Sequence, residues 1–242
     1  MSSEPDTLSD YGLLDTRYAI YFAPRRGSLL KRLADAWLGR DPDADEPVPQ
    51  PVVPGVTPQR LHEITAAPRH YGFHATLKAP FTPATGVAPD ALLGDVESFA
   101  AVRAVSRLRL RVGELGGFLA LVPGAPAPDV ERLAADCVRD FDRYRAPLPE
   151  RDRARRDLTR LSPVEREHLE TWGYPYVLDR FSFHMTLTGP LDQPERGRLA
   201  TVLESVFGPA LAEPVAIDQL ALFTQTHRVA PFRVVARFPF RA

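Results

Sequence analysis

Cysteine is almost absent from this 242-residue chain, which contains only Cys137. A single thiol cannot form an internal disulfide, so a disulfide-stapled fold is excluded and a reducing compartment is favoured. Long apolar runs are missing too, since none approaches the roughly 18 residues of a membrane span. The first 14 residues, MSSEPDTLSDYGLL, lack the basic and apolar regions of a signal peptide. These absences predict a cytoplasmic protein that has no contact with a membrane.

Charge of one sign is also lacking, because 30 Lys and Arg residues balance 31 Asp and Glu residues to a net charge of -1. A near-neutral chain gives no electrostatic reason to expect tight binding of nucleic acid. The Gly116-Gly117 pair lacks the spacing of a phosphate-binding or dinucleotide-binding loop. No nucleophile elbow is present, and Cys137 falls on the apolar stripe of a predicted helix over 128–144, where a thiol behaves as an inert small side chain.

A short repeat stands out against these absences. Residues 71–80 read YGFHATLKAP, and residues 181–190 read FSFHMTLTGP. Side chains alternate between the two faces of a strand, so each copy presents one apolar face and one polar face. The polar faces carry His74, Thr76 and Lys78 in the first copy, and His184, Thr186 and Thr188 in the second. We expect the two polar faces to meet.

The order of elements after each copy is alike: a His-x-Thr strand, a helix and then two strands. This parallel predicts an α+β fold in which residues 1–242 form a single bilobal domain. Each of the two pseudo-symmetric lobes is an antiparallel sheet flanked by helices, and the lobes enclose a central cleft. The first lobe carries its motif at 73–77 and the second at 183–187.

Local signals predict the other elements. A first strand covers 17–23, a helix follows with Ser28 as its N-cap and ends near Gly39, and a short helix covers 59–66. Pro80 and Pro83 are expected to stop the first His-x-Thr strand. The proline-dense stretch 41–58 is predicted to be an extended surface loop, and residues 1–14 a flexible N-terminus.

The residues of the repeat are compatible with few kinds of catalytic chemistry. Neither window contains a second histidine or a carboxylate at ligand spacing, whereas zinc normally takes three or four protein ligands. We therefore predict no metal and no cofactor. Two histidines that share a face with hydroxyl groups suit metal-independent general acid–base catalysis, because the imidazole pKa of about 6.5 populates both protonation states near neutrality. His74 and His184 are the predicted catalytic residues.

The two H-x-T motifs, each with an apolar residue on either side, resemble those of the 2H phosphoesterase superfamily. The wider phrases RYAIYFAP, YGFHATLKAPF and FSFHMTLTGPL resemble a bacterial branch of that superfamily linked to phosphonate metabolism. This resemblance implies two α+β lobes that meet at a cleft, with one motif from each. It also implies that Thr76 and Thr186 bind the phosphoryl oxygens, and Lys78 extends the same face by one step and is predicted to add positive charge there.

The expected function is hydrolysis of a small cyclic phosphodiester of a sugar or a nucleotide by a monomeric enzyme, in phosphonate metabolism. One alternative is an RNA-end phosphodiesterase or ligase acting on 2′,3′-cyclic or 2′-5′ linkages. Its nucleotide-binding groove would include the arginines of one stretch, Arg103, Arg107, Arg109 and Arg111. A second alternative is a non-catalytic binder of phosphorylated ligands or nucleotides. The pseudo-symmetry leaves open which histidine is the acid and which is the base.

Overall fold

The computed structural model describes residues 16–154 and 156–241, so the predicted flexible N-terminus lies outside the described residues. Both strands and α-helices occur in each half of the chain. The strands are β1 (Arg17–Phe22), β2 (Arg40–Asp41), β3 (Glu46–Pro47), β4 (Ala75–Phe81), β5 (Ser106–Leu108), β6 (Leu110–Leu115), β7 (Phe118–Pro123), β8 (Met185–Thr186), β9 (Val215–Ile217), β10 (Gln219–Gln225) and β11 (Arg233–Pro239). The helices are α1 (Leu29–Leu38), α2 (Pro58–Ile64), α3 (Ala66–Tyr71), α4 (Pro89–Ala101), α5 (Pro128–Asp140), α6 (Glu150–Ala154), α7 (Pro163–Trp172) and α8 (Gln193–Leu211).

Two antiparallel sheets organise the molecule, and each holds one His-x-Thr motif. The first has the strand order β11-β10-β1-β4, and the second has the order β6-β7-β8. The hairpin that follows the first motif, β6–β7, therefore pairs with the strand of the second motif, and the hairpin β10–β11 joins the sheet of the first. The predicted α+β class with antiparallel sheets flanked by helices is confirmed, and the two halves of the chain exchange their hairpins.

Capping explains why two of the helices begin and end where they do. The Ser28 hydroxyl accepts a hydrogen bond from the Lys31 amide, and Gly39 ends α1 in the left-handed region at φ 80°. Helix α7 starts with a reciprocal capping box between Ser162 and Glu165. The helix predicted from Ser28 to Gly39 is thus confirmed.

Several predicted boundaries were wrong. The stretch 41–58 is not wholly irregular, because β2 and β3 pair there. Pro80 does not stop the first motif strand: β4 runs on to Phe81, since it lies at the edge of its sheet, where a proline that cannot donate is tolerated. The predicted helix over 59–66 is two helices, α2 and α3, and the helix predicted over 128–144 ends at Asp140 before a single 3-10 turn.

The main core fills the space between the two sheets and helices α1, α4, α5 and α8. Cys137 lies in it with no exposed surface, and burial raises the pKa of its thiol, in agreement with the inert role predicted for it. A second apolar cluster lies on the opposite face of the four-stranded sheet and includes Tyr21, Phe223 and Phe232. No helix of the described residues is long and apolar enough to cross a bilayer.

Candidate active site

The first motif fixes its histidine through a carbonyl two residues earlier. Gly72 O lies 2.8 Å from His74 Nδ1, and because a carbonyl can only accept, Nδ1 carries a proton. His74 Nε2 lies 3.2 Å from Thr76 Oγ1. In the neutral ring Nε2 is then the bare nitrogen, and the Thr76 hydroxyl donates to it. The imidazole is thus held with its basic nitrogen beside the hydroxyl that the sequence pairs with it.

The second motif repeats this anchor. His184 Nδ1 lies 2.8 Å from Ser182 O, again two residues earlier, so its Nε2 is also free for chemistry. Both histidines immediately precede the strands of their motifs, β4 and β8. The sequence repeat is therefore also a repeat of side-chain geometry.

A cavity of about 440 Å³ brings the two motifs together, because Thr76 and His184 both line it. His74 borders it through its hydrogen bond to Thr76, and Thr186 lies two residues from His184 but does not line the wall. His184 is also close enough to His74 to lower the pKa of that imidazole electrostatically. Of the six residues on the two predicted polar faces, Thr76 and His184 line this cavity.

His74 is held in a desolvated environment. Its ring stacks on Tyr21 with centroids 3.7 Å apart and an interplanar angle of 20°, and Tyr21 itself is 1% exposed. Burial lowers the pKa of His74 to about 4, with a smaller lowering from His184, while the bond to Gly72 O opposes the shift. His74 is therefore uncharged at neutral pH.

The second histidine lacks an equivalent partner. In the sheet register Tyr21 faces Thr76, whereas Ala120 faces Thr186. The ring near His184 is Phe118, tilted by 52° at a centroid distance of 6.0 Å. The two motifs match in sequence, but their neighbours differ.

Lys78 is not where the sequence placed it. The register of β1 with β4 shifts by one residue between Thr76 and Lys78, so Thr76 faces Tyr21 on the site side while Lys78 faces Ile20 on the core side. Lys78 is 3% exposed, and its ammonium donates to Val138 O at 3.0 Å and pairs with Asp142 at 3.1 Å. A β-bulge thus turns Lys78 away from the face of Thr76 and into contact with α5.

The cavity walls are mainly apolar and aromatic, and their polar groups besides Thr76 and His184 are Tyr174, Tyr176, Arg180 and Ser182. The wall beside His184 includes Leu115, Phe118, Val138, Tyr174, Leu178 and Phe181. Leu115 and Phe118 flank the Gly116-Gly117 turn that joins β6 and β7. A cavity of this size accepts a small organic ligand.

The other candidates of the sequence lie elsewhere. Arg103 pairs with Asp136 at 2.6 Å, and none of the four arginines proposed for an RNA groove lines the cavity. Among the described residues, no group of three or more His, Cys, Asp or Glu side chains is arranged to hold a metal ion.

The structure adds Tyr21 to the residues around the candidate site, because its ring covers His74. The alternation of Arg17, Ala19 and Tyr21 along β1 places them on one face, but only the pairing with β4 shows that this face meets His74.

Known proteins resemble the chain over most of its length. It is 40% identical over 230 residues to a "Ribose 1,5-bisphosphate phosphokinase PhnN" of Janthinobacterium sp. (strain Marseille), covering 93% of this chain and 51% of that protein. A protein of the same name from Laribacter hongkongensis (strain HLHK9) is 37% identical over 218 residues, covering 90% and 50%. The chain therefore spans about half the length of these curated relatives.

Two further comparisons concern a solved structure and a family model. The crystal structure of E. coli LigT complexed with NADP+ aligns with 94% of this chain and 99% of that chain at 13% identity, and nothing further follows from its TM-score of 0.41. A model of the family described as "Protein of unknown function (DUF1045)" matches residues 76–233, which include His184 and both motif threonines. The chain belongs to the DUF1045 family.

Proposed function

We propose that the protein is a phosphoesterase that opens a small cyclic phosphodiester, with His74 as general base and His184 as general acid. The repeated geometry carries the proposal: each Nδ1 is anchored to a carbonyl, and the two motifs meet at one cavity. Acid–base catalysis needs two such nitrogens on opposite sides of the phosphorus.

The roles follow from the two environments. Since the pKa of His74 is about 4, its Nε2 is free at neutral pH to accept the proton of a water molecule as the water oxygen bonds to phosphorus. His184, in its protonated form, donates from Nε2 to the alkoxide as the ester P–O bond breaks. Proton exchange with solvent then restores both rings. Each proton transfer contributes about 10²- to 10⁴-fold in rate.

The motif threonines complete the site. Without substrate the Thr76 hydroxyl donates to His74 Nε2. When a phosphodiester binds, this hydroxyl turns to a non-bridging oxygen, which frees Nε2 for water. Thr186 acts on the other non-bridging oxygen from the second motif. Hydrogen bonds to a charged group contribute about 1.5–3 kcal/mol each.

The names of the relatives support one class of substrate, the phosphorylated sugars. They are named as kinases of ribose 1,5-bisphosphate, and this chain matches about half of each. Water that opens a cyclic phosphodiester on a ribose phosphate leaves a ribose with two phosphate monoesters, the kind of molecule such a kinase uses. A cyclic phosphate of a sugar phosphate in phosphonate metabolism is therefore our first candidate.

A cyclic nucleotide, including the 2′,3′-cyclic end of an RNA, is the second candidate. The observation that favours it is the aromatic wall beside His184, formed by Phe118, Tyr174 and Phe181, on which a base could stack. The arginine stretch 103–111 gives it no support, because its side chains lie outside the cavity.

Phosphorus NMR on a panel of cyclic phosphates tests the proposal. The panel comprises ribose cyclic phosphates with and without a second phosphate, 2′,3′-cyclic nucleotides and 2′-5′ dinucleotides. We expect turnover of at least one member that persists in EDTA and vanishes in the double variant His74→Ala, His184→Ala. Binding without turnover across the panel would instead identify a non-catalytic binder. Turnover that EDTA abolishes would contradict the two-histidine mechanism.

A further inference from the structure

Three tyrosine hydroxyls near His74 are not used by the protein itself. In the part of the chain that the structure describes, no hydrogen bond is made by the phenol oxygens of Tyr21, Tyr71 or Tyr174. Tyr21 is 1% exposed, yet its oxygen is not sealed from solvent. A nearly buried hydroxyl without a partner costs free energy unless a ligand or water occupies the space in front of it.

The rings of Tyr21 and Tyr71 both contact the ring of His74. Burial raises the pKa of Tyr21 well above its usual range; Tyr71 and Tyr174 raise it further, and Arg17 opposes the shift. Tyr71 lies 6.2 Å from His74 between ring centroids, and Tyr174 lines the cavity together with Thr76 and His184. At any working pH Tyr21 is therefore a hydrogen-bond donor, and it stands beside the proposed general base.

Arg17 supplies a positive charge to the same place. Its Nε and Nη2 both donate to the amide oxygen of Gln225, with Nε at 2.8 Å. No carboxylate among the described residues lies within 4.0 Å of it; the nearby Asp152 pairs with Arg228 at 2.7 Å. The guanidinium is thus held by a neutral group, and its Nη1 makes no hydrogen bond within the described chain.

Ring contacts link Arg17 to His74. The guanidinium carbon lies 5.3 Å from the centre of the Phe232 ring, and Phe232 stacks on Tyr71 at 5.2 Å. Phe232 also contacts Tyr21, which stacks on His74. Arg17 is therefore linked to the proposed general base through Phe232 and one tyrosine ring, either Tyr71 or Tyr21.

We propose that Arg17, Tyr21, Tyr71 and Tyr174 form a second anion subsite, which binds a phosphate monoester carried by the cyclic phosphodiester substrate. This inference rests on the proposed function and deepens it. A protonated phenol can donate one hydrogen bond, and a guanidinium can only donate, which suits the several acceptor oxygens of a phosphate monoester. The subsite selects sugar phosphates over unphosphorylated cyclic esters.

A matched pair of substrates tests the subsite. The pair is a ribose 1,2-cyclic phosphate with and without a phosphate monoester at C5, and the quantity measured is the ratio of their kcat/KM values. We expect a ratio of about 100 or more in the wild-type protein, and a ratio reduced at least about tenfold by Arg17→Gln. Arg107→Gln, which changes an exposed arginine of β5, should keep the wild-type ratio. A ratio near one in the wild type, or an unchanged ratio in Arg17→Gln, would overturn the proposal.

Binding measured without turnover separates this inference from the proposed function. Calorimetry with ribose 5-phosphate, and with ribose as the blank, should show binding that weakens about tenfold or more in Arg17→Gln and severalfold in Tyr21→Phe, which keeps the stacked ring. Thermal unfolding of each variant checks that the fold is retained. If no cyclic ester is hydrolysed but this pattern holds, the phosphoesterase fails and the subsite stands. If ribose 5-phosphate binds all variants equally, or none, the subsite is refuted.

Discussion

The imidazole of His74 stacks on the phenol ring of Tyr21, and no ring stacks in the same way on His184 among the described residues. The cause lies in the register of the two sheets, where Tyr21 stands opposite Thr76 and Ala120 stands opposite Thr186. A near-identical motif therefore carries a stacked imidazole in one half of the molecule and an unstacked one in the other. This difference breaks the symmetry between two histidines that the sequence cannot distinguish.

The first prediction concerns pH. A base must be deprotonated to act, so kcat/KM should fall as the pH falls through the pKa of His74, which is about 4. Tyr21→Leu removes the ring that covers the imidazole and admits water, so the pKa of His74 should rise towards its usual value of 6.5. The acidic limb of the pH profile should then move upwards.

Phe118→Leu is the matched control, because it removes the ring near His184 and leaves Tyr21 in place. Its acidic limb should stay with that of the wild type. An acidic limb near pH 6 in the wild-type protein, with no movement in Tyr21→Leu, would show that His74 is not the base.

The second prediction separates base from acid through the leaving group. A p-nitrophenolate leaves without a proton, so an enzyme that lacks its general acid should regain most of its rate on a p-nitrophenyl phosphodiester. His184→Ala should lose about 10²- to 10⁴-fold on a cyclic alkyl ester and much less on the activated ester, whereas His74→Ala should lose on both.

His227→Ala provides the baseline for this comparison, because His227 lies in the turn after β10 and does not line the cavity. The measurement is steady-state kcat/KM for both esters with each variant. If the activated ester rescues His74→Ala rather than His184→Ala, the two roles are reversed.

The sequence predicts the site best where the information is local. His74, Thr76, His184 and Thr186 follow from a ten-residue repeat, and the histidine anchors to Gly72 and Ser182 span only two residues. The α1 boundaries follow from Ser28 and Gly39 in the same way. Such features depend on near neighbours in the chain, so pattern and chemistry suffice to find them.

Features that depend on strand pairing cannot be predicted from the sequence pattern. Period-2 alternation placed Lys78 with Thr76, but a one-residue register shift between β1 and β4 moves it to the other face. The role of Tyr21 and the exchange of the hairpins likewise depend on which distant strands pair. Neither the position of Tyr21 nor the exchange of the hairpins can be predicted from a short stretch of sequence, because the paired strand lies tens of residues away in the chain.

The third prediction concerns Lys78, whose buried ammonium binds Val138 O and Asp142. Lys78→Met leaves that carbonyl without its donor, while Arg145 still pairs with Asp142 at 2.8 Å. We expect a loss of about 1–3 kcal/mol in the free energy of unfolding, measured in urea. Well below the melting temperature kcat/KM should stay close to that of the wild type. A loss of activity without a loss of stability would show that Lys78 acts in the active site after all.

The fourth prediction concerns Gly72, whose φ of 76° and ψ of 168° lie in a region that essentially only glycine adopts. A Cβ at this position would lie 2.7 Å from Pro42 Cβ, and Gly72 O is the anchor of His74 Nδ1. Gly72→Ala should therefore destabilise the fold by about 1–3 kcal/mol from strain, with the clash in addition, and lower kcat/KM by disturbing His74. Gly86→Ala, at φ 82° with open space around it, isolates the cost of a positive φ and should leave kcat/KM unchanged. Equal losses of stability and activity in the two variants would show that the backbone conformation of Gly72 does not position the histidine.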